Sequence, residues 1–244
     1  MSNIGENSLE LPKQNVEKVD TYSLYDVEVV NYSEIKEWLL QKHYAKSIPS
    51  VRQAFGLFDK SRVLQGVCCY GQPANNNNNM LGSFNVLELV RLVVNEGLPK
   101  NALSYFVGQT FNLIEKPKVL ISYADRGRKH HGYIYQATNW MYTGLGNAID
   151  SYIDRDGNQI HSRIMSDYRK ETPELTRAQI AENLGWTLVK ADNKFRYFYF
   201  LGNKKEKKEM LKALLEKYLI LPYPKGDNVR YNADYQPNVQ LRLL

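Results

Sequence analysis

The stretch from Leu87 to Gly146 constrains the fold more than any other, because its hydrophobic period switches repeatedly within sixty residues. It opens with Leu87-Glu88-Leu89-Val90-Arg91-Leu92-Val93-Val94, the Leu- and Val-rich composition of a buried strand with two charges inside it. Asn95 to Asn101 breaks that pattern, since Gly97 and Pro99 punctuate and Asn101 can cap a helix. From Ala102 to Ile114, Leu103, Phe106, Val107, Phe111 and Ile114 recur at three- and four-residue steps, which predicts an amphipathic helix. Lys118 to Asp125 reads as a second apolar strand ending on a carboxylate. A basic loop with glycines, Arg126 to Gly132, leads into a short helix over Tyr133–Trp140, and Met141–Gly146 reads as a third strand. Strand, helix, strand, helix, strand at these lengths implies an α/β sheet with at least one parallel pair and helical crossovers. Ligands bind such sheets outside the carboxyl ends of the strands, where the loops 95–101 and 125–132 converge.

The flanking chain adds strands to that sheet. Tyr25–Tyr32 is a first strand, and Asn31 or Ser33 caps a helix running to Lys42 with Ile35, Trp38 and Leu39 on one face. Ala54–Phe58 and Val63–Tyr70 read as a hairpin turned at 59–62. Five consecutive asparagines at 75–79 mark a low-complexity loop. A second hairpin is expected over Ser151–Ser162, where Asp156-Gly157 suits a type I′ turn, followed by a short capped helix over Thr176–Leu184. Arg196–Leu201 is an aromatic strand, Lys204–Tyr218 an amphipathic helix with Met210, Leu211, Leu214 and Leu215 inward, and Tyr218–Tyr223 a last strand. The expected organisation is a flexible arm over 1–20, a core over 21–146, an inserted hairpin and helical element over 147–194, and a strand–helix–strand over 195–244 that completes the fold.

A chain of 244 residues with 43% hydrophobic content suits one large domain, or one domain with an insertion. The net charge of +6 is uneven: Lys190 to Arg230 holds eleven Lys/Arg against five Asp/Glu. A concentrated basic segment favours a polyanionic partner such as nucleic acid, the alternative being a solvated helix face. The only two cysteines, Cys68 and Cys69, are adjacent, which fits neither a disulfide scaffold nor a thiol zinc site. Neighbouring strand side chains point to opposite faces, so two packed, reduced thiols are expected. Met1–Pro12 lacks a signal pattern and no apolar run approaches the ~20 residues of a membrane span, so the expected location is the cytoplasm.

Several polar residues sit where chemistry would need them, each with a plainer explanation beside it. Arg91 lies within a strand, where Glu88 or Asp125 would pair it. Asp125 ends a strand before a basic loop, where it is a functional carboxylate, a helix cap or a salt-bridge partner. Ser104, in the first turn of a helix, either acts on a ligand or bonds backbone. His43, His130 and His131 show no His-x-x-x-His spacing, so a zinc site is not expected from them.

Taken in order, His43-Tyr44, Leu87-Glu88-Leu89-x-Arg91, Leu98-Pro99-Lys100-Asn101-x-x-Ser104, Ser122-Tyr123-Ala124-Asp125 and Gly132-x-Ile134-Tyr135-x-Ala137 resemble the Mom family of phage DNA-modification proteins. The resemblance covers roughly residues 35–146. It implies a GNAT-like fold, a central mixed sheet flanked by helices, here with an inserted hairpin and helical region toward the C-terminus. It implies conversion of the N6-amino group of adenine in double-stranded DNA to an N6-carbamoylmethyl group, which protects phage DNA from restriction. It puts the site on His43, Tyr44, Arg91, Ser104, Asp125 and Tyr135.

The exocyclic amine of adenine is a poor nucleophile, so a base must help. Asp125 is the candidate, and burial would raise its pKa. Arg91 would hold an anionic part of the donor or stabilise developing charge, and Tyr44 and Tyr135 would stack on or bond an extruded adenine. Arg126, Arg128, Lys129, Lys204, Lys205, Lys207 and Lys208 would grip phosphates. The pyrophosphate-loop motif of acetyl-CoA enzymes, Arg/Gln-x-x-Gly-x-Gly/Ala, is absent from 95–101, which offers Lys100 and Asn101 to a small-molecule donor instead. An acyl-CoA-type donor and a metal-assisted route with His43 as a ligand both stay open. So do two other functions, N-acyl transfer to a small amine or protein, and nucleic-acid binding without catalysis.

Overall fold

Apolar side chains that alternate along a strand give a sheet two greasy faces, and this chain supplies helices for both. The computed structural model describes residues 21–73, 81–146, 150–160 and 162–226. The expected arm over 1–20 and the asparagine run at 75–79 lie outside the described residues. The chain runs through α1 (Thr21–Leu24), β1 (Tyr25–Val29), α2 (Tyr32–Glu37) with a π turn (Trp38–Lys42), β2 (Val51–Asp59) and β3 (Leu64–Gly71). It continues through β4 (Val86–Val94), α3 (Ala102–Leu113), β5 (Lys118–Ala124), a 3-10 turn (Arg126–Arg128), α4 (Tyr133–Ala137) and β6 (Met141–Gly146). A lobe follows, built from β7 (Ser151–Ile153), β8 (Gln159–Ile160), α5 (Ser162–Glu171), α6 (Arg177–Leu184) and β9 (Thr187–Val189), before β10 (Lys194–Leu201) and α7 (Lys204–Leu215).

The main sheet has the order β1-β2-β3-β4-β5-β10-β6, with β4 and β5 parallel and the other pairs antiparallel. This is the GNAT-like mixed sheet that the resemblance implies. β10 wedges between β5 and β6, so the sixty-residue unit is one sheet whose third strand is separated from its second. α3 covers one face through Phe106, Val107 and Phe111, packed with Leu87, Leu89, Leu120 and Tyr197. α7 covers the other, with Met210 and Leu214 on Val119, Ile121, Phe198 and Phe200. α2 and its π turn share that second face, with Ile35, Trp38 and Leu39 against Val67 and Cys69. Cys68 packs on the α3 side and Cys69 on the α2 side, as expected of neighbours in a strand.

Two details of β4 position the site. The parallel ladder with β5 ends at Glu88–Ile121, although β4 continues to Val94 and β5 to Ala124, so the two strands part at their C-terminal halves. Opposite Cys69 and Tyr70, β4 carries one extra residue: Arg91 pairs with Cys69 and Leu89 with Tyr70, leaving Val90 between. A bulge of this kind bends a strand and resets which face its side chains take. Leu89 packs with the α3 cluster, Val90 with the α2 cluster, and Arg91, opposite Cys69, falls on the α2 side as well. Strict alternation would have sent Arg91 toward α3.

Some boundaries differ from expectation. The first strand stops at Val29 because Asn31 caps α2 in a reciprocal box with Glu34. The helix from Tyr133 ends at Ala137, and Asn139 takes a positive φ of 61° before β6 begins. The hairpin at 151–160 does not use a type I′ turn: Asp154 gathers the amides of Asp156 and Asn158, and only Gly157 has positive φ. Tyr218–Tyr223 forms no strand. Leu221 donates to the Tyr142 carbonyl at 2.9 Å, but Pro222 and Pro224 have no N–H to extend a ladder. The lobe has its own small core of Tyr152, Met165, Ile180 and Ala181. Its roots, Gly146 and Lys194, pair with each other at the sheet end where β5 finishes.

Candidate active site at the parting of two strands

Where β4 and β5 separate, a cleft of about 540 Å³ opens, within the size range of small-ligand pockets. α3 and the loop 95–101 form one wall, and the turn after the π helix, carrying His43 and Tyr44, forms the other. His43, Tyr44, Arg91, Lys100, Asn101, Ser104, Asp125 and Tyr135 all line it. These residues come from six separate segments of the chain.

His43 is buried, and its Nδ1 accepts the Ala45 amide at 3.1 Å, which leaves the proton on Nε2. Burial first, then the charge of Arg91 and the neighbouring His130, lower its pKa to about 3. It is a neutral hydrogen-bond donor at any physiological pH. Its ring stacks on Tyr44 with centroids 4.4 Å apart, and the Arg128 guanidinium lies over the same Tyr44 ring at 5.5 Å. The Tyr44 phenol is pushed up mainly by burial and further by Asp125, while Arg91 and Arg128 oppose that shift. Tyr44 is therefore electrically tied to both the carboxylate and the guanidinium.

Arg91 is half-buried and donates to the Val90 carbonyl (2.7 Å) and Ser47 Oγ (3.1 Å), not to Asp125. Its Nε is buried with no acceptor. Burial lowers its pKa, and Tyr44, Cys69 and Glu88 partly restore it. Asp125 caps the 3-10 turn by accepting the Arg128 amide at 3.3 Å, the plainer role anticipated for it, yet it stays partly exposed in the cleft wall. Ser104 Oγ donates to the Asn101 carbonyl at 3.0 Å, again the backbone role. Tyr135 is buried, its hydroxyl 2.7 Å from Ser122 Oγ, which also donates to the Leu89 carbonyl at 2.8 Å. Trp140 and Tyr197 crowd its ring at 5.2 and 5.0 Å, so Tyr135 offers the cleft a hydroxyl rather than a stacking face. Gly132 makes this packing possible: it has φ of +77°, and a Cβ there would lie 2.5 Å from the Tyr197 ring.

Comparison with protein-family models matches residues 24–225, which contain all of these residues, to the Mom protein family. The chain belongs to the Mom protein family. That membership ties it to phage DNA modification. The Mom match runs through the lobe between β6 and β10, well beyond the motif-bearing stretch at 35–146. A search of curated proteins finds no match.

The basic residues assigned to phosphates in this Mom chain fall into two separate groups. Arg126, Arg128 and Lys129 are exposed on the loop that closes the cleft beside β5. Lys204, Lys205, Lys207 and Lys208 are exposed on the start of α7, just after Leu201, which pairs with Lys118 at the opposite end of β5. Seven residues of strand separate the two ends, about 20 Å at the usual rise, so the lysine cluster is not brought to the cleft.

Three cleft residues went unread in the sequence. Lys42 is buried and faces Glu96 at 3.6 Å, which links the His43–Tyr44 turn to the loop 95–101. A lysine at a helix end and a glutamate fifty-four positions on give no local signal of that pairing. Tyr133, 42% exposed, also lines the cleft. It occupied an unspecified position of the family motif. Among the described residues no helix is long and apolar enough to cross a membrane, and no three His, Cys, Asp or Glu side chains gather as metal ligands.

Proposed function

We propose that this Mom-family chain is an acyltransferase-like enzyme that places a carbamoylmethyl group on N6 of adenine in double-stranded DNA. The convergence of His43, Tyr44, Arg91, Ser104, Asp125 and Tyr135 on one cleft at the parting of β4 and β5 carries this reading. In the reaction the N6 lone pair forms a bond to the transferred carbon, the leaving group departs with its electron pair, and N6 gives up a proton. Asp125 takes that proton, acting with Tyr44, whose phenol feels the same carboxylate. Arg91, whose guanidinium lines the cleft, neutralises the charge that grows on the leaving group or carbonyl oxygen. His43 donates through Nε2–H and does not exchange its proton, since it stays neutral.

An acyl-CoA-type donor suits the opening in part. Beyond Glu88 the β4 ladder has no β5 partner, and in the first turn of α3 the amides of Leu103 and Ser104 have no acceptor within the helix, while that of Ala102 donates to the Pro99 carbonyl at 2.9 Å. Lys100 and Asn101 would hold the anionic portion, in place of the amides of a glycine-rich loop, where Pro99 has none to give. Direct attack on a thioester carbonyl would leave an N6-acyl amide, so the carbamoylmethyl product, joined to N6 through a methylene, requires a donor that carries its leaving group on that methylene carbon. No step is assigned to a metal ion. Nucleoside mass spectrometry of plasmid DNA from expressing cells tests the reading: a modified adenine should be present with the wild type and absent with Asp125→Ala. Unmodified nucleosides alone, with soluble protein present, would favour transfer to a small amine or simple nucleic-acid binding.

A further inference from the structure

An extruded base needs an aromatic face to stack on, and the two rings nominated from the sequence have none to spare. Tyr44 is stacked by His43 and overlaid by Arg128, and two groups at 4.4 and 5.5 Å cannot share one face. Tyr135 is 8% exposed beneath Trp140 and Tyr197. Tyr123 packs its ring on Gly146, where an added Cβ would come within 2.9 Å of it.

Tyr133 differs from all three. It is 42% exposed, lines the cleft at the start of α4, and its only ring neighbour among the described residues is His131, tilted at 6.4 Å. Its hydroxyl donates to the Gly226 carbonyl, which fixes the ring by its tip, and among the described residues no aromatic ring lies stacked parallel on it. Gly132, in the left-handed conformation, caps α4 immediately before Tyr133.

We infer that Tyr133 is the stacking platform for the target base, a binding residue at the cleft mouth that selects a planar heteroaromatic acceptor over an aliphatic amine. This rests on the DNA-adenine reading and names the residue that would hold the base. Stacking of a base on an aromatic side chain, measured by truncation, corresponds to about 5-fold to 150-fold in binding.

Two measurements test it on the full-length protein. The first titrates the protein into a thymine-rich single-stranded oligonucleotide carrying one 2-aminopurine, whose fluorescence is quenched by aromatic stacking. The second quantifies modified adenine in plasmid DNA from cells expressing each variant at matched soluble levels. Tyr133→Phe and Tyr133→Trp should keep the quenching, and Tyr133→Leu should lose it and bind at least about 5-fold more weakly. Modified adenine should fall in the same order, with the leucine variant at least about 5-fold below the phenylalanine variant. Equal quenching and equal modification by the leucine and phenylalanine variants would overturn the platform while leaving the DNA reading intact. Folded Trp and Phe variants that lose quenching would also overturn it, and they remain informative if the leucine variant does not fold. Wild-type protein that yields no modified adenine in cells would remove the reading beneath it, and the inference with it.

Discussion

His43 shows how burial of a single ring sets both its protonation state and the pH dependence of stability. Its unfolded value near 6.5 drops to about 3 in the folded chain, so below pH 6.5 the unfolded state binds a proton that the folded state refuses. Stability is unaffected by this group above pH 6.5 and falls as pH drops from there toward 3, at up to about 1.4 kcal/mol per pH unit. Thermal melts across pH 4–7 should show that loss flattened in His43→Asn, whose side-chain oxygen can still accept the Ala45 amide. An equally steep loss in the variant would mean that other groups dominate. The cysteines make a simpler case. Both are buried, and burial pushes the Cys69 thiol up to about 12, so native protein should resist thiol-specific labelling at pH 8 and react only after unfolding. Rapid labelling of native protein would contradict their packing.

At the scale of elements, α7 closes one face of the sheet through Met210 and Leu214, both fully buried on strand residues of β5 and β10. Leu214→Ala should cost about 2–5 kcal/mol by leaving a cavity, which calorimetry would register as a fall in Tm of roughly 5–15 °C. The same element carries Lys204, Lys205, Lys207 and Lys208 at the end of the sheet remote from the cleft. Reversing those four charges should weaken DNA binding less than reversing Arg126, Arg128 and Lys129, and a salt titration of DNA affinity separates the two sets by their slopes. A larger loss from the α7 set would show that DNA runs along that face instead. Much of this architecture was legible, since period and caps announced β4, α3, β5, β10 and α7 within a residue or two, apart from the frayed end of α7. The strand expected at 218–223 failed because two prolines withhold donors, and α5 passed unnoticed because only Met165 of its described apolar residues is buried.

The whole molecule brings together what the sequence scatters. Ordered motifs nominated His43, Tyr44, Arg91, Ser104, Asp125 and Tyr135 together, and all six line one cleft, but the motifs do not say what each side chain contacts there. The bulge at Val90 that turns Arg91 toward Tyr44, the stacked faces of Tyr44 and the burial of Tyr135 depend on contacts between distant segments. Lys42 and Glu96 were illegible for the same reason, as was the insertion of β10 between β5 and β6. The lobe of β7, β8, α5, α6 and β9 is rooted at the sheet end where the cleft opens, and Asp192 reaches the cleft loop beside Gly127. The central claim is that one cleft acts on adenine through Asp125 and Arg91. Its most direct test compares the modified-adenine content of DNA from cells carrying the wild type, Asp125→Ala, Arg91→Ala, and the fourfold α7 charge reversal. The two cleft variants should lower it at least about 100-fold, as loss of a general base or charge-stabilising donor does, with the α7 variant well above both. Modified adenine that persists at wild-type level in Asp125→Ala would contradict the account.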